Sequence, residues 1–217
     1  MKKIASVKSL GKLGRVRLSR SFFMRDFLYS EVSQIENIPN IPDDPDVAIA
    51  AGRNLCEQVL EPIREGLGRI SIRSAYRSCA VNAKCAQNNH GCARNEANYA
   101  RHIWDRKDKN GFIGATACIV VNSFIPHYDR TGDWTALAWW IHDHVPAYAA
   151  MQFFPVYAAF NITWSADRDH PKTIFSWAKH PDLRGRYLTK PGWHNFTGDH
   201  AGCYRDYLRE LSRSKRG

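Results

Sequence analysis

Residues 54–78 have the sequence NLCEQVLEPIREGLGRISIRSAYRS, and this stretch decides the fold. Between residues 46 and 63, apolar side chains recur at helical spacing, which predicts an amphipathic helix of about 20 residues that ends near Gly66 and Gly68. Residues 70–76 then alternate in character, as a half-buried strand does. The centre of the domain is therefore predicted to be a long helix that turns at glycine directly into a strand.

Apolar patterns farther along the chain predict the rest of the domain. Residues 114–121 form a compact apolar run suited to a central strand, 136–141 indicate a second helix, and 151–154 and 158–164 indicate two closing strands. The order helix, strand, long polar insertion, strand, helix, strands is typical of an α+β domain with a small antiparallel sheet. We expect these strands to lie in one sheet with the long helix packed on it.

The length of the chain and its charge suggest one domain with basic ends. A chain of 217 residues fits a single domain. We divide it into a basic arm (1–20), one domain (21–200) with an insertion at about 79–110, and a basic tail (201–217). The 31 Lys and Arg residues exceed the 21 Asp and Glu residues, and the formal charge of +10 favours an anionic partner. Because much of this excess is terminal, we interpret the ends as solvated extensions.

Cysteine content and hydropathy bear on the compartment. No apolar run reaches the roughly 18 residues that span a bilayer, and the basic start lacks the apolar stretch of a secretory signal. We therefore expect cytoplasmic synthesis, with phage- or holin-dependent release if the protein reaches a cell wall. The six cysteines should then be thiols or metal ligands. Cys79, Cys85, His90 and Cys92 have the residue types of a structural zinc site but lack paired Cys-x-x-Cys spacing, so we favour ordinary thiols.

The segment 54–78 resembles the helix and first strand of the zinc D-alanyl-D-alanine carboxypeptidases, which have the hedgehog/DD-peptidase fold. Those proteins typically show a Leu-Glu-Pro helix end, a glycine turn and a Tyr-Arg-Ser strand end, which match residues 60–62, 66–68 and 76–78. The resemblance covers roughly residues 21–165. It implies a DD-peptidase-like domain whose partner is a peptidoglycan stem peptide or another anionic cell-wall component.

The resemblance also implies a zinc site. In that family a His and an Asp from Ser-x-His-x-x-Gly-x-Ala-x-Asp, with a His from Trp-x-His, hold zinc, and a Glu three residues before the last His is the general base. Such a site activates a zinc-bound water, and the carboxylate takes its proton. His102 matches the first ligand, and Cys118 replaces the Asp with another group that binds zinc. Asn161 matches the second His and Ala158 the Glu, and neither supplies the lost function.

Three further residues complete the predicted site. Arg77 matches an arginine that in this family points into the cleft and stabilises anionic oxygen; the alternative is a strand-end arginine paired with an acid such as Glu96. Glu96 and Asp105 lie near His102 in sequence, and either would replace the missing base if the insertion folded back over the cleft. We expect Arg77 to converge with the residues aligned to the zinc ligands.

The alignment leaves alternatives for both site and function. Placing 140–142 on Trp-x-His restores a histidine but puts Trp139 at the Glu position and a strand inside a predicted helix. We expect little or no carboxypeptidase activity, because general acid–base assistance contributes about 10²–10⁴-fold. The alternatives are an active zinc peptidase with a relocated site, and a non-catalytic binding or phage or cell-wall assembly protein. Nucleic-acid binding through the basic ends ranks last.

Overall fold

The computed structural model describes residues 4–180, 183 and 185–214, and within them it has the α+β architecture predicted. The strands are β1 (Ile70–Ser74), β2 (Gly114–Val121), β3 (Tyr148–Phe153), β4 (Phe160–Ser165), β5 (Thr173–Ser176) and β6 (Tyr187–Thr189). The helices are α1 (Val7–Gly14), α2 (Glu31–Glu36), α3 (Pro45–Leu55), α4 (Glu61–Leu67), α5 (Cys79–Gln87), α6 (Asn95–Asn98), α7 (Ile125–Thr131), α8 (Thr135–His144) and α9 (Ala201–Ser214).

These strands form one six-stranded sheet in the order β1-β2-β4-β3-β5-β6. The predicted common sheet of β1, β2 and β4 is confirmed. The sheet is mixed, however, because β3 and β5 run parallel while the other neighbours are antiparallel. The expectation of a purely antiparallel sheet is wrong, since the chain leaves β4 and returns on the far side of β3.

The predicted long helix runs from Pro45 to Leu67 as α3, a π-helical stretch (Cys56–Leu60) and α4. A proline inside an α-helix removes one hydrogen bond and clashes with the carbonyl four residues earlier. The wider π turn lies immediately before Pro62 and relieves that clash. The helix ends at Gly68, whose φ of 92° few other residues tolerate. Its apolar side packs on β2 and β4, as predicted.

Alternation along the strands gives the sheet two different faces. Ala115, Ala117 and Ile119 of β2 are fully buried in the main core. Because successive side chains of a strand point to opposite faces, Thr116 and Cys118 point the other way. The side of the sheet that carries these two residues is called the polar face below.

The two basic ends pack against the domain. Buried residues of both ends join the main core: Ile4, Leu13, Leu18, Tyr204, Tyr207 and Leu211. Helix α9 lies on α8. The expectation of solvated extensions is therefore wrong for residues 4–20 and 201–214, because their apolar residues recur at spacings that form buried surfaces. The outermost residues, 1–3 and 215–217, lie outside the described residues.

The insertion folds as two helices and a set of turns. Helix α5 begins where the Ser78 hydroxyl accepts a hydrogen bond from the Val81 N–H at 3.3 Å. After this helix, Cys85 and Cys92 are joined by a disulfide. The prediction of thiols is wrong for this pair, because folding brings together two cysteines that lie seven residues apart. Cys56, Cys79, Cys118 and Cys203 are free.

A buried carboxylate ties the N-terminal arm to the long helix. The Glu61 oxygens accept hydrogen bonds from the Ser19 hydroxyl at 2.7 Å, the Ser21 N–H at 2.6 Å and the Ser21 hydroxyl at 3.0 Å. Burial alone would raise the pKa of Glu61, but these donors and the Arg20 charge outweigh burial and lower it. Glu61 therefore stabilises the folded arm in its ionised form.

We expect Glu61→Gln to lower the free energy of unfolding by about 1–3 kcal/mol at pH 7, because at least one donor loses a charged acceptor. The folded pKa lies below the unfolded value of about 4.3, so the carboxylate contributes fully above that value and loses its contribution as pH falls through the folded pKa. Urea unfolding of both proteins from pH 7 to pH 3 should therefore show a shrinking difference. Glu65→Gln, at an exposed carboxylate that pairs with Arg20 at 2.6 Å, is the control and should have little effect. An equal loss in both variants would contradict this assignment.

Candidate functional site

A small polar pocket of about 90 Å³ opens on the polar face of the sheet. Its walls come from the insertion and from strands β2, β3 and β4: Asn98, Arg101, His102, Thr116, Ala150, Met151, Gln152, Asn161 and Thr163. None of these side chains is a carboxylate. Hydroxyl, carboxamide, imidazole and guanidinium groups therefore determine what the pocket binds.

Strand register places the strand-borne polar groups side by side. Cys118 lies opposite Asn161, and Asn161 lies opposite Gln152, so three side chains form a row across three strands. The Asn161 amide donates a hydrogen bond to Gln152 Oε1 at 3.2 Å. Two residues farther along β2 and β4 from the Cys118–Asn161 pair, the hydroxyls of Thr116 and Thr163 are 2.8 Å apart. These cross-strand contacts fix the floor of the pocket.

His102 lies buried at the wall of this pocket and is held as a neutral ring. Its Nδ1 donates to the Ala75 carbonyl oxygen at 2.7 Å, and the Asn161 side chain hydrogen-bonds the same ring. Both contacts favour the charged form of the ring, but burial outweighs them. Burial, reinforced by the Arg77 charge, lowers the pKa of His102 to about 3. The imidazole is therefore uncharged at neutral pH.

Arg77 adjoins the site through its backbone. Its N–H donates to the His102 carbonyl oxygen at 2.8 Å. Its guanidinium is directed into the insertion, where Nη1 donates to Asn82 Oδ1 at 3.3 Å and lies 3.0 Å from Cys92 Sγ. The alternative of an ion pair with Glu96 is wrong. The guanidinium is not part of the pocket wall either, because the insertion holds it.

Cys118 sits half-buried beside Asn161. Burial raises the pKa of its thiol to about 11, although the charges of Arg73 and Arg77 oppose the shift. A thiol of this kind stays protonated at neutral pH and is a weak nucleophile. His102 and Asn161 thus line one pocket, and Cys118 lies opposite Asn161 in the sheet, while the convergence of His102 with Cys118 stays a prediction.

The residues proposed to supply a base lie elsewhere. Asp105 is buried and accepts hydrogen bonds from the N–H groups of Asp43 and Asp44 at 2.7 and 3.3 Å, and from the Tyr76 hydroxyl at 3.3 Å. Burial raises its pKa despite these donors. Asp105 was expected in the cleft. Instead, it holds the proline-rich loop of residues 38–45.

Two other positions are also turned away from the pocket. Glu96 is exposed on α6 and does not line the pocket. Ala158 is buried in the core, where its φ of 47° belongs to the tight turn before β4. Position 158 therefore does not present a side chain to the pocket. The alternative Trp-x-His alignment fails as well, because 140–142 lie inside helix α8.

Sequence reasoning missed the groups that complete the pocket. Gln152, Thr116 and Thr163 are polar residues on predicted strands, and a search for polar side chains inside apolar strands would have found them. Arg101 directly precedes His102, and its carbonyl oxygen accepts the Thr116 N–H at 2.9 Å. This bond fixes the Arg101 main chain at the pocket rim.

The donor groups of this pocket do not fit a zinc ion. Zinc sites in proteins use three or four ligands drawn from imidazole, thiolate and carboxylate. Within the part of the chain that the structure describes, no group of three or more such residues could hold a metal. Of these ligand types, the residues that line the pocket supply only the His102 imidazole.

We expect the His102 imidazole to remain neutral in the folded protein from pH 8 to pH 5, measured by two-dimensional NMR of the ¹⁵N-labelled histidine rings. The unfolded ring has a pKa of about 6.5, so below that pH the unfolded state takes up a proton that the folded state does not, and stability falls as pH decreases. In Asn161→Asp, a carboxylate beside the ring favours the imidazolium, and the His102 pKa should rise. The histidine resonances of the urea-unfolded protein give the reference titration of an exposed ring. A native His102 signal that titrates near pH 6.5 would refute the assignment of His102 as a buried, neutral ring.

Two further findings concern membrane spans and similarity to known proteins. No helix within residues 4–180, 183 and 185–214 has both the length and the apolar character required to cross a bilayer. Neither a protein-family model nor a curated protein nor a solved structure matches the chain. The hedgehog/DD-peptidase assignment therefore stays a prediction that depends on the sequence resemblance.

Proposed function

We propose that this chain is a DD-peptidase-like protein that binds peptidoglycan stem peptides without hydrolysing them. One observation carries the proposal: His102 and Asn161, two of the positions aligned to zinc ligands, line one small pocket that contains no carboxylate. Cys118, the third aligned position, lies opposite Asn161 in the sheet, and the pocket itself presents hydrogen-bonding groups and the Arg101 guanidinium.

Such a pocket suits peptide recognition. Carboxamide and hydroxyl groups donate to peptide carbonyl oxygens and accept from peptide N–H groups. Arg101 at the rim supplies a guanidinium, which forms strong paired hydrogen bonds with a carboxylate such as the C-terminus of a D-Ala-D-Ala stem. The volume of about 90 Å³ admits a small side chain or terminal group and no more.

The same groups do not support hydrolysis. Attack on an amide requires an activated water or another nucleophile and a group that accepts its proton. No carboxylate lines the pocket. The Cys118 thiol is protonated at neutral pH, and Nδ1 of the buried His102 ring is engaged by the Ala75 carbonyl oxygen. An active peptidase with a relocated site would need Glu96 or Asp105 at the pocket, and neither lies there.

We expect a synthetic stem pentapeptide ending in D-Ala-D-Ala to bind the protein in calorimetric titration, with no release of D-alanine whether or not zinc is added. Arg101→Gln should weaken binding about 10- to 100-fold, because a hydrogen bond to a charged group contributes about 1.5–3 kcal/mol. Arg94→Gln, which alters an exposed arginine of the same insertion outside the pocket, is the matched control.

Two outcomes would contradict the proposal. Failure of the peptide to bind would remove the assigned ligand class. Zinc-dependent release of D-alanine that is lost in His102→Ala would establish the active peptidase instead.

A further inference from the structure

A second surface of the protein combines exposed aromatic rings with cations. Trp177, Tyr187 and Trp193 are 48%, 38% and 44% exposed, which is unusual for side chains of this size within 17 residues of chain. Phe175 joins them, with its ring centroid 5.1 Å from that of Trp177 and 5.2 Å from that of Tyr187. These four residues, which lie on or beside strands β5 and β6, are called the aromatic edge.

Two cations are held directly on these rings. The Arg186 guanidinium lies 4.0 Å from the centroid of the Trp177 ring. The Lys190 ammonium lies 3.7 Å from the Tyr187 centroid and 5.6 Å from the Trp193 centroid. No carboxylate among the described residues forms an ion pair with either cation. The aromatic edge therefore offers flat apolar surface and positive charge together.

The aromatic edge continues the row of side chains that crosses the polar face. Phe175 is in register with Gln152 on one side and with Tyr187 on the other. The row thus runs from Cys118 through Asn161 and Gln152 to the aromatic rings. An extended ligand on the aromatic edge would find a continuous surface across the sheet.

We propose that the aromatic edge binds single-stranded nucleic acid. Exposed bases stack on aromatic rings and on arginine planes, while cations neutralise the phosphates between them. Arg186 on Trp177 supplies such a plane, and Lys190 lies where a neighbouring phosphate would pass. A duplex hides the faces of its bases, so the rings select the single strand. The formal charge of +10 adds a general attraction for polyanions.

This proposal is independent of stem-peptide binding, and its test uses the full chain. Fluorescence anisotropy of labelled oligo-dT and oligo-rU strands of about 15 nucleotides should show binding that weakens with salt. A duplex of the same length should bind less tightly. Trp177→Ala should raise Kd roughly 5- to 100-fold, the effect of losing one stacked base. Arg186→Gln should weaken binding and lower the slope of log K against log salt concentration by about 1.

Matched controls separate the aromatic edge from the rest of the surface. Phe112→Ala removes a ring that is 38% exposed just after the insertion, and Arg209→Gln removes an exposed cation of α9; both should leave Kd within about twofold. Circular dichroism and thermal unfolding verify that every variant is folded. Stem-peptide titration of Trp177→Ala should be unchanged.

Three results would overturn the proposal. The first is the absence of binding to either oligonucleotide at low salt. The second is equal affinity for single strand and duplex that Trp177→Ala leaves unaffected, which would indicate non-specific binding by the basic ends. The third is displacement of the oligonucleotide by an acidic cell-wall polysaccharide at lower concentration than by unlabelled oligo-dT, which would identify the aromatic edge as a glycan site.

Discussion

Strand β2 carries the constraint on which the rest of the structure depends. Its pairing with β4 sets Cys118 opposite Asn161, and its first residue is a glycine for a steric reason. A Cβ at Gly114 would collide with the carbonyl oxygen of Ala100 and would lie 2.9 Å from that of Trp164. Only glycine lets the end of the insertion approach β2 so closely, and that approach places His102 over the polar face. The Trp104 indole N–H, which donates to the Thr116 carbonyl oxygen at 3.1 Å, holds the same segment from the core side.

Neutrality of two side chains at the site follows from their burial. His102 is buried and Cys118 half-buried, and low exposure to water disfavours the charged form of each. A cation in the pocket would find no carboxylate to offset its charge. The Arg101 guanidinium lies at the rim, and the Arg77 guanidinium is directed into the insertion.

Sequence patterns predicted the parts of the fold with strong local signals. The long helix, β1, β2 and β4 carry sustained periodicity or continuous apolar runs, and all were predicted at nearly their observed positions. Strands β5 and β6 have four and three residues, too few for a pattern, and exist because β3 offers a free edge. The Cys85–Cys92 pairing and the turn of Asp105 toward the proline-rich loop depend on how the insertion folds in space, which residue spacing does not determine. The family resemblance led to His102 and Asn161 as neighbours in one pocket, whereas Gln152 and Arg101 entered the site only through strand register and the path of the insertion.

The aromatic edge raises the question of why large rings stay exposed on the outermost strands of the sheet. Native proteins protect edge strands with short length and with charged residues, and β6 shows both features, since it has three residues and is flanked by Arg186 and Lys190. Protection of the edge explains the cations but not the rings, because exposed Trp177, Tyr187 and Trp193 add the apolar surface that such protection avoids. A surface that keeps both rings and cations needs a ligand with both flat apolar groups and negative charge. Nucleotide chains have this combination at every residue, and the register of Phe175 with Gln152 carries the same surface toward the polar pocket.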